Sequence, residues 1–196
     1  MGSLFWQLVI ERFSPSEFRT FSLRSGQQFV LPPEFGDSVI LVKTGGIKFF
    51  ALNSKGREYI CSFHESGEVA LAWGHETYLK AEAMVQSEVI CVPLGRVEAL
   101  AGTDPEIGKD WINILQKLIR IKSRREYELL VLNASERFQR HLKEPKSEWR
   151  KGLPQSQISA YLGITPSALV RLLKTGFTSY KFREMSAREK VNSSPS

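Results

Sequence analysis

Two hydrophobic periods divide the chain. From about residue 18 to 97, short runs rich in Val, Ile, Phe and Tyr (FRTFSLRSGQQFVLP, DSVILVKTGGIKFFALN, REYICSF and SEVICVPL) are separated by clusters of Gly, Pro, Asn and Ser at intervals of roughly ten residues. Short strands at that spacing predict an all-β sandwich or barrel. Gly45-Gly46 falls between two apolar runs and predicts a tight hairpin, and Asn53-Ser54-Lys55-Gly56 predicts a second turn.

The period then lengthens. Ile107, Trp111, Ile114, Leu118 and Ile121 follow one another in steps of four, three, four and three, the seam of a helix that packs along another helix. Asp104-Pro105 opens it, Glu106 suits its first turn, and Leu129 and Leu132 resume the pattern after a charged interruption. A helix of about 25 residues between two small units buries such a seam most readily against a second copy of the chain, so these five residues are expected to form a dimer interface. The alternative is a helix folded back on its own β-unit.

Beyond Asn133 the chain turns short, basic and helical, and residues 155–174 read QSQISAYLGITPSALVRLLK. Pro154 sits where a helix starts, Gly163 where one needs a left-handed residue to stop, and Thr165 where the next needs a cap. Ile158, Tyr161, Leu162, Leu169, Leu172 and Leu173 are spaced to share a core. That leaves Thr165, Ser167, Ala168, Val170, Arg171 and Lys174 on the outward face of the second helix. This is the spacing of a helix-turn-helix, whose second helix enters the DNA major groove. Arg171 is expected to read guanine O6 and N7, Ser167 to touch a base or a phosphate, and Gln155, Thr165 and Lys174 to meet phosphates, with Ala168 on the same DNA-binding face. An αα-hairpin that merely packs would show a similar pattern.

Charge separates the two. Residues 1–119 hold 11 Lys+Arg against 14 Asp+Glu, while 120–196 hold 16 against 7, so the formal +6 of the whole chain conceals a net +9 in the part that carries the helix pair. A basic helix-turn-helix points to double-stranded DNA. Cys61 and Cys91 lie in apolar surroundings without C-x-x-C spacing, which argues against a disulfide framework, an iron–sulfur site or structural zinc. No apolar run is long enough for a membrane span and the first ten residues lack a signal-peptide pattern, so a cytoplasmic protein is expected.

The hairpin and turn in ILVKTGGIKFFALNSKGREYICSFHESGE, the long seam helix and ISAYLGITPSALVRLLK together resemble the Crp/Fnr family of bacterial transcription regulators, over roughly residues 20 to 177. The resemblance implies an α+β chain in four parts. These are a β-roll (double-stranded jelly-roll) of cyclic-nucleotide-binding type over 1–103, a dimerisation helix over 104–132, a winged helix-turn-helix over 133–185 with a reduced wing, and a disordered tail over 186–196. It implies a homodimer that reads a palindrome, with RNA polymerase as a further partner. The family's recognition helix usually carries an acidic residue one turn before its arginine, where this chain has Ser167.

Cyclic nucleotide is disfavoured as effector. Aligned from the GREYI turn, Gly67-Glu68 falls on an earlier Gly-Asp turn of the family, and the ribose-binding Gly-Glu pair falls on Leu71-Ala72. Downstream, ETYLKAEAMVQSEV has Lys80-Ala81 in place of an Arg-Ser or Arg-Thr. Burying a cyclic phosphate without a cation leaves an uncompensated charge. No cofactor is evident, and His64, His75 and His141 read as surface or core histidines rather than haem ligands. The missing nucleotide motifs also resemble those of cyanobacterial nitrogen regulators, which suggests a small anion such as a 2-oxo acid, with Arg57, Lys80 and Arg125 as candidate holders. Two rival classes are a metal-dependent cupin, which needs two histidines closer together than His64 and His75, and a signalling subunit whose C-terminal helices bind protein. The first gives no reason for the basic helix pair, so no catalytic or metal residue is assigned.

Overall fold

A computed structural model describes Trp6 and residues 10–30, 35–73, 79–144 and 147–174. Within them the β-rich half forms strands β1 (Arg19–Leu23), β2 (Gln28–Phe29), β3 (Ser38–Thr44), β4 (Gly46–Leu52), β5 (Glu58–Glu65), β6 (Val69–Ala72), β7 (Lys80–Ala83) and β8 (Ser87–Pro93). They pair in two antiparallel sheets, ordered β1-β8-β3-β6 and β2-β7-β4-β5. Consecutive strands thus alternate between sheets except at β4–β5, which is the double-stranded jelly-roll expected from the sequence.

One turn differs from expectation. Gly45-Gly46 does not close a hairpin, because β3 pairs with β6 and β8 while β4 pairs with β5 and β7. The two glycines form a corner where the chain crosses from one sheet to the other. Gly45 has φ of 83°, and a Cβ there would collide with Gln86 and Ser87. The Ser87 hydroxyl accepts from the Gly46 N–H at 3.0 Å and stitches the corner to β8. The turn at Asn53-Gly56 does join β4 to β5, with Asn53 Oδ1 accepting from the N–H groups of Lys55 and Arg57.

Period-two alternation fills the space between the sheets with Leu23, Phe29, Ile40, Val42, Ile47, Phe49, Val89 and Cys91. The opposite face of the first sheet carries Val39, Leu41, Val69, Ile90 and Val92, and it is covered by Trp6, by Val97 of helix α1 (Leu94–Thr103) and by helix α2 (Pro105–Leu130). Asp104 caps α2 by accepting from the N–H groups of Glu106 and Ile107, with Pro105 in the first turn.

The covering residues from α2 are Ile107 and Trp111, 1% and 5% exposed. Their spacing suits a partner helix, but the chain's own β-roll takes them, and Ile114 packs partly beside them. Ile121 of the expected seam stays 45% exposed, and so do Ile112 and Ile119, at 55% and 64%. The latter two lie one position along from the expected seam, which on an α-helix is a rotation of about 100°.

Candidate nucleic-acid interface

After α2 the chain forms α3 (Ala134–Lys143), the short α4 (Glu148–Lys151), α5 (Gln155–Leu162) and a helix over 166–174, α6. Helix α3 starts with a capping box between Asn133 and Glu136, a residue pair that satisfies two otherwise orphaned N–H groups. Helix α5 stops at Gly163, whose φ of 68° puts it in the left-handed region that terminates helices. Thr165 starts α6, its hydroxyl accepting from the Ala168 N–H at 3.1 Å and lying 3.1 Å from the Ser167 hydroxyl. Phe138, Leu162, Ile164 and Leu169 are buried together, and Ile158, Tyr161, Leu172 and Leu173 pack around them.

This core fixes which residues face outward. Gln155, Thr165, Ser167, Arg171 and Lys174 are exposed, as is much of Val170. Ala168, expected on the outward face, is half-buried against the head's core. The hydroxyls of Thr165 and Ser167 already serve the cap, so they reach a nucleic acid as a capped helix N-terminus, where the macrodipole favours phosphate. Arg171 lies one turn further in. The wing expected after residue 174, and the tail, lie outside the described residues.

The head is not free of the β-roll. Trp149 and Leu153 join Phe50, Ile60 and Phe63 on the outer face of the β4–β5 sheet, with Ile158, Ala160 and Tyr161 of α5 against the same patch. Phe63 meets Trp149 edge-on and lies tilted to Tyr161, with centroids 5.8 and 5.1 Å apart. Desolvation against this patch raises the Tyr161 hydroxyl above its ordinary pKa, and the guanidinium of Arg125, 4.1 Å over its ring, opposes the rise.

Polar contacts surround the apolar ones. Lys48 is 1% exposed, yet its Nζ lies 2.9 Å from Glu58 Oε1, 3.1 Å from Glu82 Oε1 and 4.6 Å above the Phe50 ring. Two carboxylates and an aromatic face are what a buried ammonium requires in place of water. Gln157 of α5 completes the group: with both ends of its amide satisfied, its oxygen accepts from Lys48 at 3.1 Å and its nitrogen donates to Glu58 at 3.2 Å. On another side, Glu128 is held by Arg124 and Arg140 at 3.1 and 3.2 Å, and Arg150 bridges Glu65 of β5 and Glu144.

The three cations considered for a small anion do not converge. Arg57 donates to the Ile164 carbonyl at 2.5 Å, and Arg125 donates to the Tyr161 carbonyl, so both serve the turn of the helix pair. Lys80 is exposed on β7, opposite Phe50. At the positions aligned with the nucleotide motifs, Ala72 and Ala81 are both buried in the roll's core and supply neither carboxylate nor hydroxyl. His64, edge-on to Phe49 and 3.0 Å from the Ser62 hydroxyl, is a packed residue of β5, and His141 is buried in α3 against Tyr161. No group of three or more His, Cys, Asp or Glu side chains forms a metal cluster among the described residues.

A jelly-roll joined by a long helix to an exposed helix-turn-helix is the architecture of a DNA-binding regulator. No protein-family profile matches the sequence. The chain is 25% identical over 194 residues to the transcriptional activator protein Anr of Pseudomonas protegens, covering 92% of this chain and 75% of that protein. It is 26% identical over 180 residues to the fumarate and nitrate reduction regulatory protein of Escherichia coli, covering 84% and 68%. Among solved structures it resembles FixK2 from Bradyrhizobium japonicum with a TM-score of 0.65 at 25% identity, covering 83% and 85%. These relatives and structural neighbours support membership of the Crp/Fnr family of transcription regulators.

Proposed function

We propose that the protein binds double-stranded DNA as a homodimer, reads a palindromic site with helix α6, and regulates transcription in contact with RNA polymerase. The observation that carries this reading is the division of the helix pair into a buried apolar side and an exposed side bearing Gln155, Thr165, Ser167, Arg171 and Lys174. Arg171 is the base-reading residue and Lys174 a phosphate contact. Two-fold symmetry places two such helices about 34 Å apart in successive major grooves.

The partner helix is met by Ile112 and Ile119, which lie seven residues apart on the face of α2 that the roll leaves open, with Leu115 at its border packed on the roll. Leu118 and Ile121 line a cleft against β5, whereas Ile107 and Trp111 belong to the roll. Among the described residues no helix is long and apolar enough to cross a membrane, and the proposed place of action is the cytoplasm.

As to an effector, the substitution of Leu71-Ala72 and Lys80-Ala81 for the nucleotide motifs supports a regulator that does not respond to cyclic nucleotide. A 2-oxo acid or similar anion would bind Arg57 or Arg125 by competing with the carbonyls of Ile164 and Tyr161, which would couple it directly to the reading helix.

Selection of bound duplexes from a random pool, with and without cyclic nucleotides and 2-oxo acids, tests the proposal. Enrichment of a palindrome with half-sites one helical turn apart is expected. Absence of any enriched sequence, at a salt concentration where basic proteins release random DNA, would favour a head that meets protein instead.

A further inference from the structure

The carbonyls at the end of α5 are taken by arginines from three different elements. Arg125 of α2 donates to Tyr161, Arg137 of α3 to Leu162 at 2.9 Å, and Arg57 at the β4–β5 turn to Ile164. A helix C-terminus leaves such carbonyls without intrahelical partners and carries partial negative charge, so guanidinium groups suit it. The segment they hold sets the angle between α5 and α6.

Only one of the three arginines comes from the roll, and its neighbour makes a second long-range tie. Glu58 holds Lys48 and receives the Gln157 amide, so the dipeptide Arg57-Glu58 grips the head at two points, the α5 side chain and the α5–α6 turn. Both ties engage the side of the helix pair that faces the roll. Pro166, at the start of α6, lines the same crevice as Arg57, Glu58 and Gln157, while the outward residues of α5 and α6 stay exposed.

From this arrangement, and resting on the DNA-binding reading above, we infer that Arg57 and Gln157 are positioning residues for DNA recognition: the Arg57-Glu58 corner clamps each head in the orientation that lets a dimer engage two half-sites at once. Neither residue touches DNA. A clamped pair of heads meets the second half-site as an intramolecular event at high effective concentration; an unclamped pair loses that advantage while each head keeps its own affinity. Arg137, which lies within the head, holds the turn itself.

The test compares the full-length protein with Arg57→Ala and, independently from the head side, Gln157→Leu. Binding is measured on two duplexes, one carrying both half-sites of the selected palindrome and one carrying a single half-site in otherwise unrelated sequence. Each variant is expected to lose about tenfold or more on the two-half-site duplex and less than twofold on the single half-site. Equal losses on both duplexes, with a shallower salt dependence, would make Arg57 a phosphate contact and overturn the inference. Unchanged binding to the two-half-site duplex would overturn it as well. Failure of the unaltered protein to prefer the palindrome would instead defeat the DNA-binding reading, and the positioning role with it.

Discussion

Gly46 lies directly beneath the indole of Trp149, so that any side chain at this position would overlap the ring. The corner glycine of the roll is therefore also the seat of the head. Gly46→Ala is expected to displace Trp149 and cost about 1 to 3 kcal/mol, the usual range for overpacking. The cost should not add to that of Trp149→Ala, because removing the indole removes the collision. Urea unfolding of both single variants and the double variant gives the cycle. Strict additivity would mean that the two residues do not meet in solution.

At the reading face, Arg171→Ala and Lys174→Ala are expected to separate in kind rather than in size. The first should cost about 1 to 3 kcal/mol on the preferred duplex and relax the preference at one base pair of each half-site. The second should weaken all duplexes alike and reduce the salt slope by about one. Competition binding across single-base variants of the site distinguishes them. Uniform, sequence-independent losses from both substitutions would make Arg171 another phosphate contact.

The two faces of α2 predict opposite outcomes from substitutions only eight residues apart. Ile119 is 64% exposed and belongs to the stripe left for a partner, so Ile119→Asp should yield a monomer whose roll unfolds at nearly the original midpoint. Trp111 is 5% exposed among Val39, Leu41, Ile90 and Val92, so Trp111→Ala should cost about 3 to 5 kcal/mol of folding stability. Sedimentation and thermal unfolding read the two effects. A dimeric Ile119→Asp protein would return the interface to the neighbouring stripe.

That contrast also shows where the amino-acid sequence was legible. Strands β1 to β5 and β8, the start of α2 at Asp104-Pro105 and the stop at Gly163 are local events, written in period, cap and turn residues, and each lies where those signals put it. Two apolar stripes run side by side on α2: Ile107, Trp111 and Ile114 pack on the roll with Leu115 beside them, and Ile112 and Ile119 stay exposed. Which one meets the roll is a three-dimensional matter, and the first was read as the dimer face. Lys48 was silent for a similar reason. A lysine alternating with Ile47 and Phe49 reads as solvent-facing, and only the arrival of Gln157, 109 positions later, makes its side of the sheet an interior. The Gly45-Gly46 corner was taken for a hairpin because a glycine pair signals a sharp change of direction without specifying which strands pair afterwards.

His64 supplies a pH dependence with a definite sign. Burial against Phe49, reinforced by the nearby positive charges of Lys122 and Lys117, lowers its pKa to about 4, while its bond to the Val69 backbone works the other way. The unfolded chain takes up this proton near pH 6.5, the folded chain only near 4. Between those values the unfolded state holds more protons, so the contribution of neutral His64 is complete above about pH 6.5 and is lost as pH falls toward 4. Each unit of depression corresponds to roughly 1.4 kcal/mol. Stability depends on pH through every group that titrates differently in the two states, so the measurement has to be a difference between proteins. His64→Gln can keep a hydrogen bond to Ser62 while removing the titration. Its stability is expected to fall less steeply than that of the unaltered protein between pH 7 and 5 in urea titrations. Parallel pH profiles for the two proteins would show that His64 takes up its proton without cost, and hence that β5 opens to water at this point.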